Sequence, residues 1–590
     1  MDSKEQIHFL NPSLEEAFKY FYVVPEYQRE YVWGDTEVEQ LLSDIGEAFQ
    51  TGKQKDYFIG STVVCPNAES FELVDGQQRM TTFFILLCVL RKEYDMNGEN
   101  NNVLRSMIFS EAMNDDGDTV AKYHLELQYA DAGACLQKIA TGEFPLEIGD
   151  ATGSKARLIN AANTIYRILQ AQYPSFSEKK KFTAYMIKHV RFVQIKTQEM
   201  GDALKVFETI NQRGIGLTPM DLMKNMIFRQ VSRSKFPELN AIWKSIIDCL
   251  QNGKTQESPL RFLRYYLMAT YDTSDCPNGI LREDSIYSWL VSKNNKCEYK
   301  TDPFGFVSRM KDGAERYMLY LSGGTNDPAD NYIRNIPLIG GSAYKMHLLL
   351  LLATKNMDAE AENHFKRILE SIVYYSTVNK VRNNDVERAF VKWCPSLRAI
   401  TSDEDLTAFI NSAIIPEINA WKAENKTNFM LLGLNSLQQY RIRFILARIS
   451  RYVECKRSGS GDPTEIRSLC GSSYEIEHVL PQKYKDNELP FGLDTDGYDR
   501  IKQRLGNLLL LEKSFNASIG NGSYNEKSQV YIKSGLYLTK SIIQKDCVGQ
   551  DTAVNRLNEQ LMSWDAWTPD AIEQRQEMLY QLSEEIWAIA

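Results

Sequence analysis

Hydrophobic and polar positions in the first hundred residues follow the pattern of short β-strands. Apolar runs at residues 21–24, 56–64 and 71–74 contain aromatic and β-branched side chains and end at proline, glycine or charged residues. A longer apolar run at residues 81–94 begins with two threonines, which are favourable helix-capping residues. These patterns predict a mixed α/β domain at the start of the chain.

The centre of the chain carries the helical period instead. From about residue 236 to about residue 450, aliphatic and aromatic residues recur three and four positions apart, as Phe262, Leu263 and Tyr266 do. Such stripes are typical of the buried faces of helices. The chain is therefore expected to be α+β and predominantly helical. We divide it into three regions, residues 1–230, 231–430 and 431–590.

Composition narrows the class of protein. At 590 residues the chain exceeds a single hydrophobic core, and its 43% hydrophobic and 25% charged content is typical of a globular protein. No apolar run is long enough to span a membrane, and the N-terminus lacks the apolar core of a secretion signal, so we expect a cytoplasmic location. The ten cysteines occur singly, which argues against structural zinc. The net charge of −9 excludes a general polycation but permits a local basic track that binds DNA.

The residue types needed to hydrolyse a phosphodiester are grouped near the end of the chain. Glu477 and His478 follow a strand-like segment, and Asn507 and Asn516 stand nine residues apart further on. A neutral His478 can take a proton from water, while Glu477 and Asn516 supply oxygen ligands for Mg²⁺ or Mn²⁺. We place Asn507 in the catalytic group because it orders the loop, and we expect Glu477 and His478 at the turn of a short β-hairpin. The alternative is a histidine that caps a strand, with asparagines as turn residues.

Two polar clusters in the first region are suited to a nucleoside triphosphate, GTP or ATP. The first lies between a predicted strand and a predicted helix, where glycine admits an anion, helix N–H groups donate to it and arginine forks onto phosphate. It consists of Asp75, Gly76, Gln77, Gln78 and Arg79. The second lies at a predicted helix end, where a carboxylate can orient water and an arginine can neutralise phosphate charge. It consists of Glu208, Asn211, Arg213 and Gly214. The alternatives are a turn that only starts a helix and a capped helix with solvated charges.

An aromatic segment at residues 25–33 interleaves tyrosine and tryptophan with glutamine and arginine. Side chains of this kind contact bases or phosphates, so Tyr27, Gln28 and Arg29 are candidates for sensing DNA. The same composition also suits the aromatic edge of a hydrophobic core, and both interpretations stay open.

The C-terminal residue set resembles the HNH, or His-Me finger, nucleases. Their pattern is an acidic residue with histidine, then N-L-x-x-L, then a second asparagine nine residues after the first. The matching residues of the later part are Asn507, Leu508, Leu511 and Asn516. The resemblance implies a ββα-metal element embedded in helices, with Asn521 and Lys527 as auxiliary residues. Many relatives carry zinc-binding cysteine pairs that this chain lacks, so we expect packing by Trp564, Trp567 and Trp587 to hold the element.

The N-terminal motifs resemble the ParB/sulfiredoxin-like NTPase domain of the GmrSD-type restriction enzymes. They are P-x-Y-Q-R-x-Y-x-W at 25–33, Y-F-I-G-S at 57–61, D-G-Q-Q-R at 75–79 and F-E-x-x-N-x-R-G-x-x-L at 207–217. Members of that family share the order of parts, with the NTPase-like domain first, a helical middle and an HNH nuclease last. The resemblance implies an NTP-regulated, metal-dependent endonuclease of bacterial anti-phage defence that acts on modified double-stranded DNA. Relatives act on glucosylated hydroxymethylcytosine DNA or sense phosphorothioate DNA, and this sequence does not choose between them.

Two other functions stay open from sequence alone. One is a nucleotide-dependent DNA-binding switch whose C-terminal region grips DNA without cutting it. The other is a toxin nuclease directed at RNA. Replacing His478 separates the switch from a nuclease, and the polymer that is cut separates the two nucleases. Cutting both strands with one site per chain would favour a homodimer.

Overall fold

The computed structural model of the chain divides into two compact units. The first comprises residues 1–245 and 298–308, and the second comprises residues 246–297 and 309–590. The residues that the structure describes are 7–25, 28, 30–51, 55–67, 69–113, 118–129, 132–198, 202–203, 206, 219–292, 297–341, 344–483, 489–548 and 552–589. The expected fold class, α+β and predominantly helical, is confirmed.

A six-stranded mixed sheet forms the centre of the first unit. The strands up to residue 197 are β1 (Ile7–Leu10), β2 (Tyr22–Val24), β3 (Tyr57–Asn67), β4 (Ser70–Asp75), β5 (Phe109–Met113), β6 (Thr119–Tyr123), β7 (Leu125–Leu127) and β8 (Val190–Thr197). The sheet has the order β1-β8-β3-β4-β2-β7, and β5 and β6 pair separately. β3 is antiparallel to β4 and parallel to β8. The three strands predicted before residue 75 are all present.

Helices cover this sheet and enclose the core of the first unit. The helices whose full extent lies within the described residues up to 251 are α1 (Leu14–Ala17), α2 (Asp35–Thr51), α3 (Gln77–Met96), α4 (Asn102–Ile108), α5 (Ala132–Thr141), α6 (Gly153–Gln172), α7 (Phe176–His189), α8 (Pro219–Phe228) and α9 (Phe236–Gln251). α3 lies at the centre, because its residues from Phe83 to Leu90 are at most 1% exposed. α3 begins at Gln77 rather than at residue 81 because Gly76, with φ of 86°, turns the chain directly from β4 into the helix.

The second unit is helical for most of its length. Its helices, with one that begins in the first unit, are α10 (Pro259–Thr270), α11 (Ile286–Val291), α12 (Pro303–Leu321), α13 (Asp330–Gly340), α14 (His347–Ala353), α15 (Ala359–Val378), α16 (Asn383–Ala399), α17 (Asp403–Phe409), α18 (Ile415–Trp421), α19 (Asn425–Met430), α20 (Gln439–Ser458), α21 (Arg467–Cys470), α22 (Thr495–Lys502), α23 (Lys513–Ile519), α24 (Tyr524–Tyr531), α25 (Tyr537–Lys540), α26 (Ala553–Gln560) and α27 (Pro569–Ile586). Two strands, β9 (Tyr474–His478) and β10 (Leu508–Glu512), form an antiparallel pair among them. The helical pattern predicted for the centre is confirmed.

The tryptophans near the C-terminus divide between two places. Trp564 and Trp567 belong to the hydrophobic cluster around the two strands, as expected. Trp587 instead stacks on Tyr374 of α15 with 3.7 Å between ring centroids, and its Nε1 donates to Glu370 Oε1 at 3.0 Å. The expectation that Trp587 supports the nuclease element is wrong, because α27 has 18 residues and its far end reaches the helical core.

The hydropathy of the helices bears on membrane association. In the parts of the chain that the structure describes, no helix combines the length and the apolar character needed to cross a bilayer.

Candidate nuclease and nucleotide-binding sites

The predicted nuclease residues lie on two strands and the helix that follows them. In the register of β9 and β10, His478 stands opposite Leu508 and Glu477 stands opposite Leu509. Residues 479–507, which include α22, connect the strands. Glu477 and His478 therefore lie at the end of a strand. The prediction that they lie at the turn of a short hairpin is wrong. α23 follows β10 directly and contacts both strands, giving a strand–strand–helix arrangement.

His478 is buried and held at both ring nitrogens. Gln482 Nε2 donates to Nδ1 at 3.0 Å, and Nε2 lies 3.4 Å from Gln503 Oε1. Burial lowers the pKa of His478 from its ordinary value, the contact with Gln503 opposes this, and the ammonium groups of Lys527 and Lys502 lower it further. The imidazole is therefore neutral at pH 7, which is the form that can accept a proton.

Glu477 is held from behind by two side chains of α24. Lys527 Nζ donates to Glu477 Oε1 and to the His478 carbonyl oxygen, both at 2.6 Å. The Tyr531 hydroxyl donates to the same carboxylate oxygen at 3.0 Å. Lys527, predicted as an auxiliary residue, thus fixes both the carboxylate and the backbone at the end of β9.

Asn516 lies on α23 as the fourth of its seven residues, whereas the prediction placed it at the start of a helix. Its Nδ2 donates to Glu475 Oε2 at 2.7 Å. Within the described residues Asn516 makes no hydrogen bond to Glu477. Glu475 is a residue that the sequence reasoning missed, although its position two residues before Glu477 on a strand places both carboxylates on one face.

Asn507 is completely buried and holds the segment that follows His478. Its Oδ1 accepts from Leu480 N at 2.8 Å and from Trp567 Nε1 at 2.9 Å, and its Nδ2 donates to Lys502 O at 2.7 Å. Its backbone oxygen accepts from Val479 N at 2.9 Å. Asn507 therefore orders the loop, as the sequence suggested, through contacts that all point inward.

Asn521, the second predicted auxiliary residue, lies at the surface. Its Oδ1 accepts from Lys483 N at 3.3 Å. This contact supports the backbone just after Gln482 and does not reach His478.

Two buried side chains of α27, also missed from sequence, fasten the turn that carries Asn507. Arg575 NH1 donates to the carbonyl oxygens of Gly506 and Leu508, at 2.7 Å each. Gln576 Oε1 accepts from Gly506 N at 3.1 Å. Burial lowers the pKa of Arg575 to about 10. No motif marks this pair, because an arginine and a glutamine within a helix resemble solvated residues until their burial is known.

In the N-terminal unit, the D-G-Q-Q-R segment forms the turn from β4 into α3. Gly76 caps the helix with φ of 86° and no side-chain cap, so the positive end of a 20-residue helix dipole faces this turn. A Cβ at Gly76 would lie 2.6 Å from Thr62 Cγ2. Thr62 Oγ1 is buried and has no hydrogen-bond partner in the described structure. Gly76, the first N–H groups of α3 and Thr62 form a cradle, and its donors fit an anionic group that carries acceptor atoms.

Arg79 lies across the same turn and joins two of the motifs. Its NH1 donates to Ile59 O at 3.0 Å, and its NH2 lies 4.0 Å from Asp75 Oδ2. Gly60 has φ of 108°, and a Cβ there would lie 2.0 Å from Arg79 NH1. Burial raises the pKa of Asp75, and Arg79 opposes that rise. The Y-F-I-G-S and D-G-Q-Q-R motifs therefore contact each other through Arg79.

Gln78 connects this turn to the aromatic segment. Its Oε1 accepts from Val32 N at 2.8 Å, and its Nε2 donates to Glu30 O at 3.0 Å. Gln77 lies beside it in the first turn of α3 and is partly exposed. Gln28 is 8% exposed, and its Nε2 has no hydrogen-bond partner within the described residues.

Several predicted residues fall where the structure gives no description. Tyr27 and Arg29 of the DNA-sensing group lie outside the described residues. The whole second cluster lies outside them too: Glu208, Asn211, Arg213 and Gly214.

The donor set for a metal ion is small. Across the described residues no group of three or more His, Cys, Asp and Glu side chains is arranged to hold a metal. The C-terminal site offers two carboxylates and one amide. Such a set fits Mg²⁺, which keeps several water ligands and needs only one or two carboxylates from the protein.

Two family models match the chain and together cover more than half of it. The N-terminal domain of the GmrSD restriction endonuclease matches residues 9–228, which contain the D-G-Q-Q-R cradle. The C-terminal domain of GmrSD restriction endonucleases matches residues 422–582, which contain β9, β10 and α23. Comparison with curated proteins gives no match. The chain belongs to the GmrSD restriction endonucleases, enzymes that cut DNA.

Proposed function

We propose that this chain is a metal-dependent DNA endonuclease of the HNH type whose cutting is controlled by a nucleoside triphosphate. The observation that carries the proposal is a neutral, buried His478 at the end of β9, on the same strand as Glu475 and Glu477, with Asn516 of α23 hydrogen-bonded to Glu475. One base and one cation are the parts that phosphodiester hydrolysis needs. The second unit supplies both the base and the proposed ligands of the cation.

His478 acts as the general base. Its Nδ1 accepts the proton of the attacking water, which takes the position that the Gln482 amide now occupies. Gln503 accepts from the protonated Nε2 and holds the ring in that tautomer. A positioned base of this kind contributes about 10²–10⁴-fold to the rate.

Glu477 and Asn516 would hold Mg²⁺ or Mn²⁺ at the face of β9 and α23. The bound ion supplies charge neutralisation at the scissile phosphate and the leaving oxygen. Lys527 fixes the position of the Glu477 carboxylate from behind, and Asn507 fixes the backbone that leads away from His478.

The turn into α3 would bind GTP or ATP. Gly76 lets phosphate approach the helix N-terminus, Arg79 supplies a guanidinium, and the Thr62 hydroxyl supplies a donor that has no partner in the described structure. Asp75 and Gln77 belong to the same turn, and Glu208, Asn211, Arg213 and Gly214 are proposed to complete the site. Nucleotide binding and hydrolysis would then gate cutting.

The proposed substrate is modified double-stranded phage DNA, met in the cytoplasm of a bacterial cell. Tyr27, Gln28 and Arg29 are proposed to sense the modification, and a homodimer would let two sites cut two strands. The family supports the choice of DNA. The buried Gln28 Nε2 has no partner within the described residues, and this supports a sensing role because the group can donate a hydrogen bond to a ligand.

The experiment is a cleavage matrix with purified protein. Unmodified, glucosylated and phosphorothioate DNA are each incubated with Mg²⁺ or EDTA, and with GTP, ATP or no nucleotide. The proposal expects cutting of a modified duplex that stops in EDTA and changes with nucleotide. Undiminished cutting in EDTA, or cutting of RNA in place of DNA, contradicts it.

A further inference from the structure

Glu475 is a carboxylate beside the proposed metal site that the HNH pattern does not use. Its Oε2 accepts from Asn516 Nδ2 at 2.7 Å, and its side chain is 37% exposed. The nearest cation is Lys513, whose Nζ lies 4.0 Å from Oε1 and whose side chain is 64% exposed. An ion pair this open is screened by water and leaves the carboxylate accessible to a divalent ion.

Glu477 has the opposite surroundings. Lys527 Nζ lies 2.6 Å from its Oε1, inside a region where both side chains are less than 10% exposed. A buried ammonium at this distance compensates the carboxylate charge, so Glu477 alone attracts a divalent ion weakly. Its Oε2 makes no hydrogen bond with any residue that the structure describes.

The two carboxylates and the amide share one face of the strand pair. Side chains two positions apart on a strand point to the same side, with Cα atoms roughly 7 Å apart. Asn516 lies against this face from α23, and its Nδ2 now points at Glu475. A half-turn of the amide exchanges nitrogen and oxygen, which places Oδ1 where a cation between the two residues needs it.

We propose that Glu475 is a ligand of the divalent cation, acting with Asn516 Oδ1 and with Glu477 Oε2. This proposal rests on the proposed metal-dependent nuclease function. Glu475 brings a negative charge that is paired only with the exposed Lys513, and Glu477 brings a second oxygen in a fixed position. Three protein oxygens would leave coordination positions for water and for a phosphate oxygen.

The test measures Mn²⁺ binding to the full chain directly, by electron paramagnetic resonance or calorimetry, in the absence of DNA. The variants are Glu475→Gln, Glu477→Gln and, as a matched control on the exposed face of α27, Glu573→Gln. We expect Glu475→Gln to weaken Mn²⁺ binding by about tenfold or more. Its cleavage should recover as Mn²⁺ is raised, and thermal unfolding in EDTA should match that of the wild type.

The outcomes distinguish the role of Glu475 from the proposed metal-dependent nuclease function on which it rests. Mn²⁺ binding by Glu475→Gln that equals wild type, together with loss in Glu477→Gln, overturns the role of Glu475 and leaves the nuclease proposal standing. A wild type that binds no Mn²⁺, and whose DNA cleavage continues in EDTA, overturns both. Weakened binding in Glu573→Gln as well would show that surface charge in general is responsible, which also overturns the role of Glu475.

Discussion

At the scale of single residues, the surroundings of His478 decide what it can do. It is 3% exposed, two glutamines contact its ring nitrogens, and two ammonium groups lie near it. Each ammonium group and the burial itself disfavour the protonated ring. A histidine in these surroundings is neutral at pH 7, so one of its ring nitrogens can accept a proton.

The pH dependence of cleavage follows from the lowered pKa of His478. At the ordinary histidine value of 6.5 the neutral form of His478 still predominates, because burial has moved its pKa below that value. We therefore expect the single-turnover cleavage rate to stay high at pH 6.5 and to fall only at more acidic pH. The measurement is the rate at saturating Mg²⁺ across the acidic range. An acidic midpoint at or above 6.5 contradicts the assignment of His478 as the base.

At the scale of elements, α27 supports the turn that carries Asn507. Arg575 and Gln576 bind the backbone of residues 505–508, and the turn lies so close that a Cβ on Gly506 would be 2.1 Å from Ile572 O. Asn507 passes this support on to the backbone after His478. α27 is therefore part of the structure that supports the candidate nuclease site.

Gly506→Ala tests this support. The added methyl group must push the turn away from the α27 backbone, and overpacking of this kind costs about 1–3 kcal/mol in the free energy of unfolding. We expect a lower unfolding temperature and slower cleavage. Gly471→Ala is the control, since its nearest contacts would be 3.4 Å and 3.5 Å away. Wild-type cleavage and stability in Gly506→Ala would show that the turn does not depend on its contact with α27.

The proposed nucleotide cradle at the turn into α3 depends on a second close approach, between β3 and α3. Gly60→Ala would place a Cβ 2.0 Å from Arg79 NH1, so the guanidinium must leave its position. We expect this variant to lose GTP or ATP binding, measured with a fluorescent nucleotide. Gly98→Ala is the matched control, because Gly98 also has positive φ, at 72°, but no atom within 4 Å of a new Cβ. Equal nucleotide binding by both variants contradicts a role for Arg79.

At the scale of the whole molecule, the sequence predicted elements better than the contacts between them. The strands before residue 75, the buried helix at Phe83–Leu90 and the helical centre follow from local period, because period reports which face is buried. The place of Trp587 on Tyr374 could not be predicted, because the two residues are far apart in sequence and no pattern along the chain encodes their contact.

The candidate site shows the same division. The motifs predict His478, Asn516 and Lys527 as site residues from their types and spacing, and this assignment stays a prediction. They did not show that Asn516 contacts Glu475, or that Lys527 holds Glu477, because those contacts arise from the register of β9 and the packing of two helices on it. The contacts of Arg575 with the turn that carries Asn507 could not be predicted for the same reason.

The most direct test of the central claim compares wild type, His478→Ala and His8→Ala in DNA cleavage with Mg²⁺, using whichever modified DNA and nucleotide support wild-type cutting. His8 is an exposed histidine on β1 and serves as the matched control. DNA binding is measured for all three proteins in parallel. We predict that His478→Ala binds DNA as wild type does but no longer cuts it, while His8→Ala does both. Cutting by His478→Ala at the wild-type rate would contradict the assignment of this histidine as the nuclease base.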